Sequence, residues 1–116
     1  MKEADIVSIH CPLSERTRGL IGARELALLK PSAILVNMGR GAVVDEAALA
    51  ACIDSGRLAG AALDVFSTEP LPESHPLLHT SHPERLRFTP HIAWASYESL
   101  DRLVQRMVEN IREVMG

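Results

Sequence analysis

The chain has 116 residues, with 12 Lys and Arg against 15 Asp and Glu, and its formal net charge is −3 at pH 7. This length predicts a single domain, and the near balance of charge gives no reason to expect a nucleic acid or an acidic membrane surface as a partner. Apolar residues make up 47% of the chain, which excludes a disordered tail.

Four short apolar runs predict the strands of the fold. They lie at residues 4–9, 33–37, 60–65 and 86–89. The first three are nearly continuous rather than alternating, which is typical of parallel strands that are buried on both faces. The fourth is shorter and is interrupted by Arg87, so it predicts a weaker strand at an edge of the sheet.

Helix signals separate these runs. Residues 23–29 are good helix formers, and Pro31 ends that segment. Asp45 is a suitable N-cap for the next helix, Glu46 suits its first turn and Gly56 its end. Leu49, Cys52 and Ile53 would form its buried stripe. Strands that alternate with helices predict an α/β fold built from βαβ units.

The last helix has the clearest pattern. Ser96 is a plausible N-cap, and Glu98 and Arg102 have the spacing of an i,i+4 ion pair. Apolar residues recur at intervals of three and four and form a stripe that predicts a core or an interface. The stripe comprises Leu100, Leu103, Val104, Met107, Val108 and Ile111.

Residues 67–85 interrupt the alternation and predict a long irregular loop, because they contain four prolines. Loops of this length in compact domains are usually functional or disordered. Three histidines in the loop, His75, His79 and His82, have a spacing that metal ligands also show. Zinc ligands are usually held on a rigid scaffold, so we interpret these three as ordinary loop histidines.

Chemically active side chains follow the predicted strands. Arg40 comes after the second strand, Asp64 and Glu69 after the third, and His91 after the fourth. In open α/β sheets ligands bind beyond the carboxyl ends of the strands, so these residues are expected at one edge. Arg grips a carboxylate with paired hydrogen bonds, and His moves protons near neutral pH. A carboxylate beside that His would favour its charged form and hold its orientation.

This set of residues suits the reduction of a 2-oxo acid, which requires an anchor for the acid and a proton for the developing alkoxide. The hydride must come from a cofactor, because no side chain carries one. The segments 37–41, 63–66 with Glu69-Pro70, and 89–93 resemble the signatures of the D-isomer-specific 2-hydroxyacid dehydrogenases. The resemblance extends over nearly the whole chain. The tryptophan at position 94, directly after His91-Ile92-Ala93, makes the chain similar to the glycerate/hydroxypyruvate reductase-like members of the family.

The resemblance implies a catalytic set of Arg40, Glu69 and His91, in which Arg40 binds substrate, His91 is the acid/base and Glu69 tunes His91. It implies NAD or NADP as the cofactor and a small 2-hydroxy or 2-oxo acid as the substrate. Asp64 would lie near the nicotinamide carboxamide. The implied cofactor-binding residues are His10, Cys11, Pro12, Met38, Gly39, Arg40, Asp64, His91 and Ala93.

A full member of the family carries a glycine-rich turn, an acidic residue and most of a substrate domain upstream of the strand at residues 4–9. The resemblance therefore implies that residues 1–95 are a partial NAD(P)-binding domain, the second half of a Rossmann-type doubly wound parallel sheet. Residues 96–116 would be a C-terminal helix that leads back toward the absent substrate domain. We expect the chain alone to bind NAD weakly, and NAD cannot be distinguished from NADP.

Simpler interpretations remain open for each residue. Taken singly, Arg40 is compatible with a surface ion pair, Glu69 with a solvated acid and His91 with a hydrogen-bonded, half-buried histidine. Asp64 is compatible with a turn or cap residue. The segment 39–44 imitates a dinucleotide-binding turn, but Val44 replaces the third glycine, so we interpret its glycines as permitting a tight turn that points Arg40 into a cleft.

Two functions are therefore considered, a segment of a dehydrogenase and a non-catalytic truncated remnant or interaction module of the same fold. The strand at residues 4–9 would expose an unpaired edge, which predicts a homo-oligomer.

No apolar run approaches the roughly 18 residues of a membrane span, and the N-terminus does not resemble a signal peptide. Cys11 and Cys52 are too few for a disulfide framework and predict free thiols in the reducing cytoplasm.

Overall fold

A computed structural model describes residues 1–116. The four predicted strands form one parallel sheet in the order β1-β2-β3-β4, with Val7 opposite Leu35 and Leu35 opposite Ala61. The α/β fold is confirmed, and β4 lies at an edge as its short sequence predicts. The strands and helices are β1 (Ile6–Ile9), α1 (Ala23–Leu26), β2 (Ile34–Asn37), α2 (Glu46–Asp54), β3 (Gly60–Leu63), β4 (Leu86–Phe88) and α3 (Tyr97–Met115).

Helices α1 and α2 pack together and bury one face of the sheet. The core on this side is a cluster of 16 buried apolar residues, which includes Leu35 from β2 and Leu49 and Ile53 from α2. All three of these side chains are inaccessible to solvent. Full burial of one such side chain contributes about 1.5–3 kcal/mol. Leu49 and Ile53 therefore form the stripe predicted for α2, whereas Cys52 is only half-buried.

The opposite face of the sheet is open near β1, so the prediction of strands buried on both faces is wrong for this part of the chain. Ile6 is 64% exposed and Ile34, which pairs with it in β2, is 42% exposed. Alternate residues of a strand point to opposite faces, and no helix of the chain covers the face that these two side chains share. A continuous apolar run shows that both faces of a strand are hydrophobic, but it does not indicate which other element covers each face.

The boundaries of α1 and α2 follow from their terminal hydrogen bonds. Helix α1 ends at Leu26 rather than at residue 29, because the next amides, of Leu28 and Leu29, bond to carbonyls only three residues back. The Asp45 carboxylate caps α2 as predicted, accepting a hydrogen bond of 2.9 Å from the Ala48 amide. Gly56 follows α2 with a φ of +70°, a conformation that favours glycine at a helix end.

Helix α3 begins at the predicted N-cap, where the Ser96 hydroxyl accepts a hydrogen bond of 3.1 Å from the Ser99 amide. None of its residues is buried, so the apolar stripe predicted from sequence is exposed here, and Glu98 forms no ion pair with Arg102. The radius of gyration is 17.0 Å, against about 13 Å for a compact domain of this size. Helix α3 therefore extends away from the sheet. No helix combines the length and the low polarity that a bilayer crossing requires.

The proline-rich segment between β3 and β4 is ordered by two short 3₁₀ turns, Pro76–Leu78 and Pro83–Arg85. Leu77, in the first turn, is 1% exposed and joins the apolar core. The three loop histidines do not converge. His75 contacts Glu46, His79 contacts the Glu73 carbonyl, and His82 contacts Glu84.

Candidate functional site

The carboxyl ends of the strands surround a cavity of about 410 Å³. Parallel topology places the residues that follow β1, β2, β3 and β4 at one edge of the sheet, although they are distant in sequence. The lining residues are His10, Met38, Arg40, Asp64, His91, Ala93 and Trp94. Six of these seven residues belong to the predicted catalytic or cofactor-binding sets. Glu69 is not among them and reaches the cavity only through its contact with His91.

The turn that carries Arg40 is fixed by the side chain of Asn37, the last residue of β2. This amide is almost fully buried; its oxygen accepts a hydrogen bond from the Gly39 amide at 3.1 Å, and its nitrogen donates to the Arg40 carbonyl at 3.0 Å. The Arg40 guanidinium donates to the Gly39 carbonyl at 2.8 Å. The rest of the guanidinium keeps free N–H groups for a ligand.

The two glycines beside Arg40 are required by close packing rather than by an unusual φ angle. A Cβ on Gly39 would lie 2.9 Å from the Cys11 carbonyl oxygen, and one on Gly41 would lie 1.8 Å from the carbonyl carbon of Phe66. Neither glycine has a positive φ. The expected tight turn is therefore a place where the backbones that follow β1, β2 and β3 come into contact.

Helix α2 does not offer a phosphate site at its N-terminus. Asp45 caps the helix, and the carboxylate of Glu46 in its first turn is buried against the loop that follows β3. Two carboxylates occupy the end of the helix where an anion would otherwise bind. The resemblance of segment 39–44 to a dinucleotide-binding turn therefore has no counterpart in the geometry.

Asp64 organises the turn that contains His91. Asp64 is 4% exposed. Its carboxylate accepts hydrogen bonds from the Thr89 hydroxyl, from the Ile92 amide at 2.9 Å and from the Ala93 amide at 2.9 Å. Burial raises the pKa of Asp64, but the hydrogen bonds from Thr89, Ala93 and Ile92 outweigh burial and hold the pKa below its usual value. Asp64 is therefore an ionised turn residue that also lines the cavity.

His91 and Glu69 form a contact pair at the rim of the cavity. The His91 Nδ1 atom lies 2.8 Å from Oε2 of Glu69, and the other carboxylate oxygen of Glu69 accepts a hydrogen bond of 2.8 Å from the Phe66 amide. The contact with His91 and the bond from Phe66 lower the pKa of Glu69. The Nε2 atom of His91 makes no hydrogen bond within the chain and is free to bind a ligand.

The backbone at His91 is in the left-handed region, with a φ of +56°. A residue other than glycine adopts this conformation at a cost of roughly 1–3 kcal/mol, so the surrounding contacts must hold it there. Two contacts do so. Asp64 accepts from the amides that follow His91, and the Trp94 indole donates to the His91 carbonyl at 2.7 Å.

Two further cavities adjoin the one described above. The first, of about 410 Å³, shares His10, Met38 and Arg40 with it, and the remaining lining residues are Cys11, Pro12, Leu13 and Gly39. The second, of about 480 Å³, lies beyond His91 and Glu69 and is mostly apolar, with Phe66 and Phe88 in edge-to-face contact in its wall. All the predicted cofactor-binding residues therefore line the two cavities of about 410 Å³.

Comparison with known proteins identifies the family. The family described as "D-isomer specific 2-hydroxyacid dehydrogenase, NAD binding domain" matches residues 1–93. The chain belongs to the D-isomer specific 2-hydroxyacid dehydrogenase family. The (S)-sulfolactate dehydrogenase of Chromohalobacter salexigens is 47% identical over 116 residues, which are 100% of this chain and 37% of that protein. The glyoxylate reductase of Aeropyrum pernix is 47% identical over 111 residues, which are 96% of this chain and 32% of that protein.

A solved structure of this dehydrogenase family has the same fold. The crystal structure of D-lactate dehydrogenase from Aquifex aeolicus, complexed with NAD and lactic acid, superposes with a TM-score of 0.84 at 29% identity. The match covers 98% of this chain and 38% of that one. The chain thus spans about a third of the length of the relatives it matches.

Two residues that shape the site of this chain of the 2-hydroxyacid dehydrogenase family lie in the segments 37–41 and 89–93 that carry the resemblance, but the sequence-based predictions assign them no role. Asn37 fixes the Arg40 turn, and Thr89 donates to Asp64. Asn37 carries a detectable signal, since a polar residue that ends an otherwise apolar strand must find buried partners. Thr89 carries no such signal of its own outside the matching segment, because a threonine at the end of an edge strand is common in strands of any function.

Proposed function

We propose that this chain is the catalytic portion of an NAD(P)-dependent D-2-hydroxyacid dehydrogenase, which interconverts a D-2-hydroxy acid and a 2-oxo acid. One observation carries the proposal. Arg40 and His91 line the same cavity at the carboxyl edge of the sheet, and Glu69 contacts His91 at 2.8 Å. An anchor for a carboxylate, a proton donor and a carboxylate partner are therefore assembled from three separate stretches of sequence.

The residues around the cavity fit a nicotinamide cofactor. Met38 and Trp94 line it and are 42% and 56% exposed, so each presents apolar surface to a planar ring. The Asp64 oxygen that accepts from Ala93 has a second lone pair for a carboxamide N–H. The adjoining cavity around His10, Cys11 and Pro12 provides room for the remainder of the nucleotide. When bound, NAD(P)H supplies the hydride that no side chain can provide.

Arg40 binds the substrate in this proposal. A guanidinium forms paired hydrogen bonds with a carboxylate or with the adjacent ketone oxygen, so it both anchors a 2-oxo acid and polarises its carbonyl group. The Arg40 side chain donates one hydrogen bond to the Gly39 carbonyl, which leaves its other N–H groups available. The turn that carries it is braced by Asn37 and by the packing of Gly41 against Phe66, so the guanidinium is presented from a fixed base.

His91 exchanges the proton. Its Nδ1 atom faces Glu69, and its free Nε2 atom donates a proton to the substrate oxygen as the ketone is reduced and removes that proton when the alcohol is oxidised. Glu69 stays ionised at neutral pH because its pKa is lowered by the His91 contact and by the Phe66 amide. Its negative charge therefore stabilises the imidazolium and holds the ring in place.

The proposal includes a homo-oligomer and a cytoplasmic location. The edge of β1 is unpaired and Ile6 at its start is 64% exposed, which favours pairing with a second copy. Both cysteines are free thiols, as is usual in a reducing compartment. The residues 1–95 would constitute the NAD(P)-binding part, and residues 96–116 would connect it to a substrate domain.

A segment exchange tests the catalytic assignment. The matching 111 residues of the Aeropyrum pernix glyoxylate reductase are replaced by this chain, and NADH oxidation is measured with glyoxylate and with hydroxypyruvate. His91→Ala is expected to lower kcat by roughly 10²- to 10⁴-fold, the usual contribution of a positioned acid or base, with little change in the affinity for NADH.

His82→Ala is the matched control for this test. The His82 and His91 side chains are both 39% exposed, and each lies within 3.2 Å of a glutamate, but His82 does not line the cavity. The control is expected to retain the turnover of the unmodified exchange protein. Equal turnover in the His91 and His82 variants would refute the role of His91.

A further inference from the structure

One buried carboxylate lies outside the site described above. Glu46, in the first turn of α2, is 7% exposed, and apart from Asp64 no other acidic residue of the chain is buried. An ionised carboxylate is stable inside a protein only when hydrogen bonds or a positive charge replace its water. Glu46 does not line the cavity shared by Arg40 and His91, so its burial requires another explanation.

The hydrogen bonds of Glu46 all lead to the loop that follows β3. Its carboxylate accepts from the Ser67 amide at 2.8 Å, from the Ser67 hydroxyl and from the Nε2 atom of His75 at 3.0 Å. The Nδ1 atom of His75 accepts from the Leu77 amide at 3.3 Å. The two bonds of the imidazole place its proton on Nε2, so His75 donates to Glu46 and joins both ends of the segment 67–75 to one carboxylate.

The segment that Glu46 holds is the one that carries Glu69. Ser67 precedes Glu69 by two residues. The amide of Phe66, which is next to Ser67, donates a hydrogen bond of 2.8 Å to the Glu69 carboxylate. Glu69 in turn contacts His91 at 2.8 Å. On the other side, a single 3₁₀ turn (Gly41–Val43) connects Arg40 to the residues that begin α2, and Gly41 in this turn packs against the Phe66 backbone with no room for a Cβ.

We propose that Glu46, together with His75, is a positioning residue that holds Glu69 against His91 and fixes this pair relative to the Arg40 turn. The inference rests on the proposed function, because it assigns a role to Glu46 through Glu69 and His91. Glu46 touches neither the substrate nor the cofactor cavity and acts only through the loop. Its side chain is the one that bonds to both Ser67 and His75, at the two ends of the loop segment 67–75. Ser67 is next to Phe66, whose amide donates to Glu69.

The conservative variant Glu46→Gln tests this role because it keeps the size of the side chain and one acceptor oxygen. The amide nitrogen of Gln would face the Nε2–H of His75, donor against donor, while Leu77 still requires the Nδ1 atom as its acceptor. The loop is therefore expected to loosen, and the bonds of Glu69 to Phe66 and His91 with it. The predicted result is a rise of the Glu69 pKa toward its usual value, measured by ¹³C NMR of the carboxyl group in the 116-residue chain.

Asp45→Ala is the matched control, since it weakens the same helix end without touching the loop. Asp45 caps α2 through the Ala48 amide, and loss of such a cap destabilises a helix. The control is expected to lower stability and leave the Glu69 pKa unchanged. An unchanged Glu69 pKa in Glu46→Gln, or an equal rise in Asp45→Ala, would show that Glu46 only stabilises the fold.

A second variant keeps the test decisive if Glu46→Gln does not fold. His75→Ala removes one donor to Glu46 but leaves both contacts with Ser67, so a smaller rise of the Glu69 pKa is expected, and no rise would overturn the proposal. The titration needs neither NADH nor substrate. A failure of the positioning role is therefore distinguishable from a failure of the catalytic role, which the His91 variant of the exchange protein measures.

Discussion

The Nδ1 atom of His91 lies 2.8 Å from the Oε2 atom of Glu69, although 22 positions separate the two residues in the chain. Glu69 lies in the long loop after β3, and His91 directly follows the edge strand β4. Both residues are fixed by backbone groups, Glu69 by the Phe66 amide and His91 by the turn that Asp64 organises. The pair is therefore built by the ends of two adjacent parallel strands.

The bonds of Asp64 predict a loss of stability in acid. Because the folded-state pKa lies below the unfolded value, Asp64 contributes stability at every pH above about 3.8, and this contribution disappears as the pH falls through the folded-state pKa. Asp64→Asn is expected to lower the free energy of unfolding by about 2 kcal/mol at pH 7, since hydrogen bonds to a buried charge are lost. The difference from the unmodified chain should shrink below pH 4, as measured by urea unfolding at several pH values.

Asp101→Asn, on exposed helix α3, is the control for this experiment. An exposed acid that bonds only to Gln105 is expected to change stability by less than about 0.5 kcal/mol throughout the range. If Asp64→Asn and the unmodified chain differed by the same amount at pH 3 and pH 7, the ionised form of Asp64 would not be what holds the turn.

The contact between Gly41 and the Phe66 backbone predicts a large cost for any side chain at position 41. Gly41→Ala would place a Cβ 1.8 Å from the Phe66 carbonyl carbon, so the backbone must move. The expected loss is about 3 kcal/mol, at the upper end of the usual range for overpacking. Chemical denaturation followed by circular dichroism measures it.

Gly22→Ala provides the comparison for Gly41, because a Cβ at Gly22 would meet no atom closer than 3.5 Å. Its expected loss is less than about 1 kcal/mol, from the poorer N-cap that alanine provides for α1. Similar losses in the two variants would indicate that the loop after β3 moves freely and does not brace the Arg40 turn.

The sequence predicts the parallel sheet and the shared edge well, because both depend on short local patterns. Apolar runs that alternate with helix signals specify parallel strands, and parallel strands place the residues after them, Arg40 and His91 among them, at one edge. The capping roles of Asp45 and Ser96 are also local, since a helix N-terminus needs an acceptor within three residues.

What the sequence does not predict depends on contacts between distant segments. The burial of Glu46 requires the loop at residues 67–75 to fold back onto α2, and nothing near Glu46 indicates this. A charged residue in the first turn of a helix is usually solvated, so local reasoning assigns it to the surface. Similarly, the spacing of Leu103 and Met107 predicts an apolar face, but no partner for that face is specified, and both side chains are more than half exposed.

The unpaired edge of β1 predicts self-association. The Asp5 carbonyl accepts a hydrogen bond from the Ile34 amide, and the Ile9 carbonyl accepts one from the Met38 amide. Alternate residues of β1 therefore direct their backbone groups toward β2, and the N–H and C=O of Ile6, which follows Asp5, point to the open edge. Ile6→Pro removes an outward N–H at the first position of the strand, where proline is tolerated. Sedimentation velocity should show an oligomer for the unmodified chain at high concentration and a monomer for the variant.

Val104→Glu separates this edge from the other exposed apolar surface, the stripe on α3. Val104 is 58% exposed, and a charge there would disrupt packing between α3 helices while leaving the edge of β1 intact. This variant should associate like the unmodified chain. Dissociation by Val104→Glu but not by Ile6→Pro would assign the contact to α3, and a monomeric unmodified chain would exclude association through either surface.

The cavity shared by Met38 and Trp94 predicts weak but measurable binding of NADH. Trp94 is the single tryptophan of the chain and lines this cavity, so its fluorescence should be quenched on binding. A dissociation constant on the order of 1 mM is expected for residues 1–116, because they contain no glycine-rich turn of the kind that binds the pyrophosphate in full Rossmann domains. Met38→Asp, which introduces a charge beside the nicotinamide position, should abolish the quenching.

Leu78→Asp is the control, since Leu78 is 46% exposed against 42% for Met38 and does not line the cavity. Quenching that is equal in the two variants, or absent from the unmodified chain, would exclude this cavity as the nicotinamide site of the isolated chain.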